Sequence, residues 1–137
     1  MQVTDLEGNI TDWKLSRAKM ITQDERPRSK FHVAARKVLS EYFPTTPVVE
    51  EAPIFIRPRN RLYLDFYIPW NTLAVEVHGQ QHYEYSYHFH RTRMAFLKQL
   101  SRDREKAEWC ELNGVNLVIL PHYEDLDEWT TKIAECQ

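Results

Sequence analysis

No stretch of this 137-residue chain approaches 18 consecutive apolar residues, so a membrane-spanning helix is not expected. The opening MQVTDLEGNITDWKL lacks the apolar centre of a secretory signal. Cysteine is scarce. The two present, Cys110 and Cys136, fall in a helix-like stretch and at the tail. That argues against a disulfide framework and reads as reduced thiols in an intracellular, cytoplasmic protein. There is no basic excess either. A net charge of −2 argues against a generic basic coat for nucleic acid. Internal repeats, low-complexity tracts and internal linkers are also missing, so one globular unit is expected.

What is present is ordinary in amount and uneven in placement. A hydrophobic fraction of 42% with 28% charged residues suits a soluble globular domain with a real core. RPRSKFHVAARK (26–37) carries Arg26, Arg28, Lys30, Arg36 and Lys37 with no acid, and RPRNR (57–61) adds Arg57, Arg59 and Arg61. From Asp103 onward nine acids face three bases, leaving the rest of the chain at +4. Such polarity suits a phosphate backbone held against the basic segments; solvated helix and turn surfaces would look the same.

Residues 1–13 read as a hairpin turning at Glu7–Asn9, followed to residue 28 by a polar, irregular arm. Residues 29–137 form the remaining unit. Ser29 is placed to cap a helix over Lys30–Tyr42, whose Phe31, Ala34, Ala35, Val38, Leu39 and Tyr42 share one face. Strands are expected at 47–55, with Pro53 an irregularity, at 62–68 and at 72–78. A long helix from about Arg91 to Leu112 should close at Gly114, followed by the buried strand VNLVIL, with Pro121 ending it, and a helix from about Tyr123 to Ala134. The aromatic run YEYSYHFH (83–90) has no clear element; its rings suit sheet-edge packing or stacking on bases. The order predicts a mixed α/β fold, a central mixed sheet flanked by helices with an N-terminal hairpin.

Two strands carry chemistry. In LYLDFYI, alternation sets Leu62, Leu64, Phe66 and Ile68 on one face and Tyr63, Asp65 and Tyr67 on the other. In LAVEVH, Leu73, Val75 and Val77 oppose Glu76 and His78. Pairing through the PWNT turn would let Asp65 and Glu76 approach from one face. Carboxylates that close repel unless a proton or cation is shared, and a hard cation such as Mg²⁺ or Mn²⁺ suits oxygen ligands. His78 would point to the same side and is suited to proton transfer.

Asp65, followed eleven residues later by Glu-Val-His, resembles the Asp…(Asp/Glu)-x-Lys signature of the PD-(D/E)XK nucleases, with histidine in place of lysine. EVHGQQH more closely resembles the Glu-x-(Asp/His)-Gly-x-x-His core of the very-short-patch-repair-like endonucleases and their phage-borne relatives, homing endonucleases included. RSKFHVAARKVLSEYFP is similar to that family's opening helix, and RDREKAEWCELNGVNLVIL to its Arg-Asp helix and last strand.

The resemblance implies a restriction-endonuclease-like fold and a metal-dependent DNA endonuclease, phage-type, acting as a monomer or homodimer in the (host) cytoplasm. It makes Asp65 the central metal ligand, with Glu76 and the Val77 carbonyl beside it. His78 and His82 would activate water or support the phosphate. His32 stands where the family's opening helix often has an acid, and Glu41 is too near the helix end to replace it. Lys98 or Lys106 would supply the missing cation, Arg102 would lie near the phosphates, and Asp103 would orient a neighbour. Arg36 and Lys37 would touch the DNA backbone if the opening helix borders the cleft.

Two alternatives stand beside this reading. One is a nucleic-acid-binding module that has lost cleavage, for which His32 and His78 speak. The other is a zinc-dependent hydrolase built on His78, His82, His88 and His90.

Overall fold

The structure, a computed structural model, describes residues 1–15, 18–21 and 28–136; Arg26 and most of the expected arm lie outside these. Five strands form one sheet in the order β3 (Lys19–Met20), β4 (Val49–Arg57), β5 (Asn60–Ile68), β6 (Leu73–His78) and β7 (Asn116–Pro121). The first four pair antiparallel, and β7 joins β6 in parallel. A separate two-stranded hairpin, β1 (Gln2–Thr4) and β2 (Ile10–Asp12), precedes them. Among the described residues there are four α-helices: α1 (Lys30–Tyr42), α2 (Tyr87–His90), α3 (Arg93–Leu112) and α4 (Leu126–Glu135). The mixed α/β architecture is the one expected.

The helix starts follow from their caps. Ser29 Oγ accepts from the His32 amide at 3.2 Å, and α1 begins where its sequence predicts. α3 begins two residues later than expected. Arg91 takes a left-handed backbone at φ 66°, and Thr92 then caps the helix through the Ala95 amide. α4 also begins late, because Asp125 and Glu128 form a reciprocal capping box there. Gly114, at φ 66°, follows the end of α3 as its glycine signal suggests.

Each sheet face has its own core. On one, α1 and α4 bring Ala35, Val38, Leu39, Trp129 and Ile133 against Phe66, Ile68, Leu73, Val75, Val118 and Leu120. On the other, Trp109 and Cys110 of α3 and Val3 of the hairpin meet Ala52, Ile54, Ile56, Leu64, Tyr67 and Ala74. The hairpin is fastened to this second face. Leu6 donates its amide to the Ile56 carbonyl at 2.9 Å, and the Trp13 indole donates to the Pro53 carbonyl at 2.7 Å.

The two cores correct one expectation. The alternation of LYLDFYI does not put Leu62, Leu64, Phe66 and Ile68 on a common face: Leu62 and Leu64 pack with Trp109, whereas Phe66 and Ile68 pack under α1. β4 reverses at the matching point, with buried Glu50 turned toward α1 and Ala52 toward α3. Glu51, between them, has φ 53°, a left-handed conformation that a non-glycine residue seldom adopts. The irregularity in β4 therefore centres on Glu51, with a further register shift between Phe55 and Arg57, and not on Pro53, which pairs with Tyr63. The reversal in β5 centres on Asp65.

Candidate active site

β5 and β6 pair at Ile68–Leu73, Tyr67–Ala74 and Phe66–Val75, and the ladder stops there. Beyond it two carboxylates take over from backbone carbonyls as acceptors. The Asp65 amide donates to Glu76 Oε2 at 2.7 Å, and the Val77 amide donates to Asp65 Oδ2 at 2.8 Å. Reciprocal side-chain bonds thus satisfy the two amides while the strands part. Alternation along β6 turns Glu76 toward α3, where Lys106 Nζ lies 2.6 Å from its Oε1.

Glu76 is buried and Asp65 half-buried, and the electrostatics of the pair follow from that. Burial, together with the charge of Glu76, raises the Asp65 carboxyl to a pKa of about 7, against the pull of Lys106 and the Val77 amide. Burial alone would lower the Lys106 pKa, but Glu76, Asp65 and Asp103 outweigh it and hold the ammonium above its ordinary value. Two carboxyl groups therefore share one fixed cation, and Asp65 titrates near neutrality.

A second group adjoins them. His78, at the end of β6, stacks on His82 with ring centroids 4.1 Å apart and planes 7° from parallel. His82 Nδ1 lies 2.8 Å from Asp103 Oδ2, and the Gln99 amide donates to Asp103 Oδ1 at 3.1 Å. Burial and the neighbouring His82 push the His78 pKa down to about 4, with Lys106 adding to the effect and Asp103 opposing it. His78 is therefore a neutral imidazole at physiological pH. Burial would raise the Asp103 carboxyl; the hydrogen bond and charge of His82, joined by His78, outweigh it and hold it below the ordinary range. One ligand atom from each of His78, His82 and Asp103 falls within 4.8 Å of the others.

α3 supplies Gln99, Asp103 and Lys106 from one face, because residues four and seven positions apart lie along one side of a helix. The same spacing turns Lys98 and Arg102 to solvent, so neither joins the site. Of Lys98 and Lys106, it is Lys106 that lies beside Glu76.

On the α1 side, His32 is buried in the first turn, stacked on Phe66 at 4.7 Å, with Nε2 2.7 Å from Glu50 Oε1. Arg36 holds the same carboxylate through Nε at 3.1 Å. Burial lowers the His32 pKa, with Arg28 and Arg36 adding to the effect and the charge of Asp65 opposing it. Glu41 is exposed in the last turn of α1, about 13 Å further along the helix axis by its rise per residue.

Glu50 and Gln99 are the residues that sequence reasoning missed. Glu50 carried one weak signal, an acidic residue beside the apolar run of a strand. The four-histidine cluster divides. His90 is buried elsewhere, donating from Nε2 to the Gln81 carbonyl at 2.8 Å and accepting from the Ser86 amide, and His88 is exposed. Val77 meets Asp65 through its amide.

The basic residues separate in the same way. Arg28 pairs with Glu51 at 2.7 Å, Arg36 with Glu50, and Arg57 with Glu105. Lys30, Lys37, Arg59 and Arg61 are exposed, with Lys30 over the Phe31 ring and Arg61 over the Tyr63 ring. Among the described residues no helix is long and apolar enough to cross a membrane.

No protein-family model matches the chain, and no solved structure matches it. Three viral proteins are similar to parts of it. The chain is 35% identical over 97 residues to Uncharacterized protein 033L of Invertebrate iridescent virus 3, covering 69% of this chain and 50% of that protein. It is 41% identical over 61 residues to Uncharacterized protein 307L of Invertebrate iridescent virus 6, covering 44% of this chain and 31% of that protein. With Uncharacterized protein 094L of Frog virus 3 it shares 35% identity over 74 residues, 53% of this chain and 48% of that protein. The chain thus resembles proteins of three viruses and spans half or less of the length of each.

Proposed function

We propose that the protein is a metal-dependent DNA endonuclease of the PD-(D/E)XK type, working inside the cell. One observation carries the reading: Asp65 and Glu76 converge where β5 and β6 part, with the Lys106 ammonium on Glu76. Two carboxylates and one lysine, drawn in from solvent on two strands and a helix, are more than a solvated strand requires.

The donor set fits a hard divalent cation. Carboxylate oxygens of Asp65 and Glu76, with the Val77 carbonyl, would hold Mg²⁺ or Mn²⁺. Asp65 is raised to about 7 by burial and a like charge, so it is the group whose ionisation a cation would restore. When bound, the ion supplies Lewis acidity and neutralises charge on the phosphate. The protein's own groups supply the rest. His78, neutral because it is buried beside His82, accepts a proton from the attacking water as the new P–O bond forms. Lys106 offsets negative charge accumulating at Glu76 and the phosphate. His82, oriented by Asp103, would stand beside the leaving oxygen, which takes up a proton from solvent as the second P–O bond breaks. Of the basic residues in the two segments at 26–37 and 57–61, Lys30, Lys37, Arg59 and Arg61 are exposed and available to a DNA backbone. One such site per chain requires a homodimer or two successive nicks for a double-strand break.

The test is conversion of supercoiled plasmid to nicked or linear forms with Mg²⁺, set against EDTA and against Asp65→Asn. Binding of DNA without cleavage in any metal would instead make the protein a nucleic-acid-binding module of this fold.

A further inference from the structure

We infer that His78, His82 and Asp103 form a binding site for a borderline transition metal, Zn²⁺ or Co²⁺, separate from the Asp65–Glu76 pair. Two imidazoles and one carboxylate each offer a ligand atom, all within 4.8 Å of one another. This donor set differs in kind from the all-oxygen set beside it. Imidazole favours zinc and its neighbours in the transition series, whereas carboxylates with a carbonyl favour magnesium. Ligand atoms around a tetrahedral zinc, bonded at about 2.0–2.1 Å, lie roughly 3.4 Å apart. Closing from 4.8 Å requires tilting one ring out of the parallel stack of His78 and His82.

The supporting layer is also present. Gln99 donates to the second Asp103 oxygen at 3.1 Å, leaving Oδ2 directed at His82. Polar partners of this kind fix first ligands at metal sites. The three ligands come from a strand end, the short turn Gln80–His82 and a long helix. Metal would therefore cross-link elements that otherwise meet through side chains. Three protein ligands also leave a fourth position open.

Occupancy has a functional consequence, which rests on the endonuclease reading: a metal on His78 removes the base. Zinc would then inhibit the magnesium-supported reaction. The binding claim stands without that reading.

The experiment titrates the folded full chain with Co²⁺ in the presence of millimolar Mg²⁺, following the visible absorption of the protein-bound ion, with Zn²⁺ as competitor. One Co²⁺ per chain is expected, displaced by Zn²⁺ and not by Mg²⁺. His82→Ala and Asp103→Asn should each weaken binding at least tenfold, while Asp65→Asn and His88→Ala leave it unchanged. Circular dichroism establishes that each variant is folded, and either His82→Ala or Asp103→Asn suffices. Absence of Co²⁺ binding to the wild-type chain overturns the site. So does binding that is lost in Asp65→Asn and kept in His82→Ala. A second arm adds Zn²⁺ to the plasmid reaction. Suppressed cleavage supports the inhibitory role, and unchanged cleavage at Zn²⁺ concentrations that displace Co²⁺ from the site refutes that role alone.

Discussion

Replacing Asp65 by Asn should abolish cleavage and at the same time make the protein more stable at alkaline pH. Asp65 is raised from an ordinary 3.8 to about 7, first by burial and then by Glu76. A carboxyl whose folded pKa lies above its unfolded value binds its proton more tightly in the folded state. Stability is therefore greatest below the unfolded value, falls as pH rises through 4 to 7, and levels off above the folded value. At 1.36 kcal/mol per unit, the full shift corresponds to about 4 kcal/mol at pH 8 and about 1.7 kcal/mol at pH 5. Solvent reaching the half-buried side chain reduces this, so roughly 2–4 kcal/mol is expected at pH 8. Asparagine keeps the acceptor for the Val77 amide, adds a donor toward Glu76 and carries no charge. The assay is urea unfolding of both proteins at pH 5 and pH 8, in EDTA and in Mg²⁺. In EDTA, the variant should gain on the wild type as pH rises. In Mg²⁺ the gap should narrow, because the ion stabilises only the carboxylate form. A variant less stable than wild type at pH 8, or a gap independent of pH, would refute the electrostatic account of this site.

Three further outcomes follow from the same geometry. Lys106→Met leaves Glu76 buried without its cation and should cost about 3–5 kcal/mol in thermal or urea unfolding, part of it recovered by adding Glu76→Gln. His78→Ala should slow single-turnover cleavage roughly 10²–10⁴-fold with DNA binding kept. Since His78 titrates at about 4, its loss should remove a rise near that pH and leave the profile above pH 6 unchanged in shape. Replacing exposed Lys37 and Arg59 by Ala should flatten the salt dependence of DNA binding by roughly 0.9 log–log units for each phosphate left without its cation. The ion-paired Arg28 and Arg57 should matter less to that slope than the exposed pair.

Residues whose partners are local could be read from the chain. Ser29 caps the helix it precedes, and Leu73, Val75 and Val77 alternate with Glu76 and His78 as the period of a strand requires. The reversal at Glu51 and Asp65 could not. LYLDFYI alternates without a break, and no glycine marks the left-handed residue across from Asp65. Glu50 was missed because its partners, His32 and Arg36, lie 18 and 14 residues away on a helix. The 99–103–106 face of α3 carries a clear helical spacing, but it is embedded in a helix rich in charge, where only Trp109 and Cys110 are buried. Nothing local separates the charges that turn inward, Asp103 and Lys106, from those that turn out, Lys98 and Arg102. The four histidines from 78 to 90 mislead in the opposite way, because only His78 and His82 come together. Four nearby histidines look like one group, yet a short turn and a four-residue helix send His90 into a different pocket of backbone acceptors.

The most direct test of the central claim is the fate of supercoiled plasmid incubated with wild-type protein and with Asp65→Asn, in Mg²⁺ and in EDTA. The account expects nicked or linear DNA only for the wild type in Mg²⁺, with both proteins folded. Plasmid left intact by the wild type in Mg²⁺ and Mn²⁺ alike, or cut equally by Asp65→Asn, would contradict it.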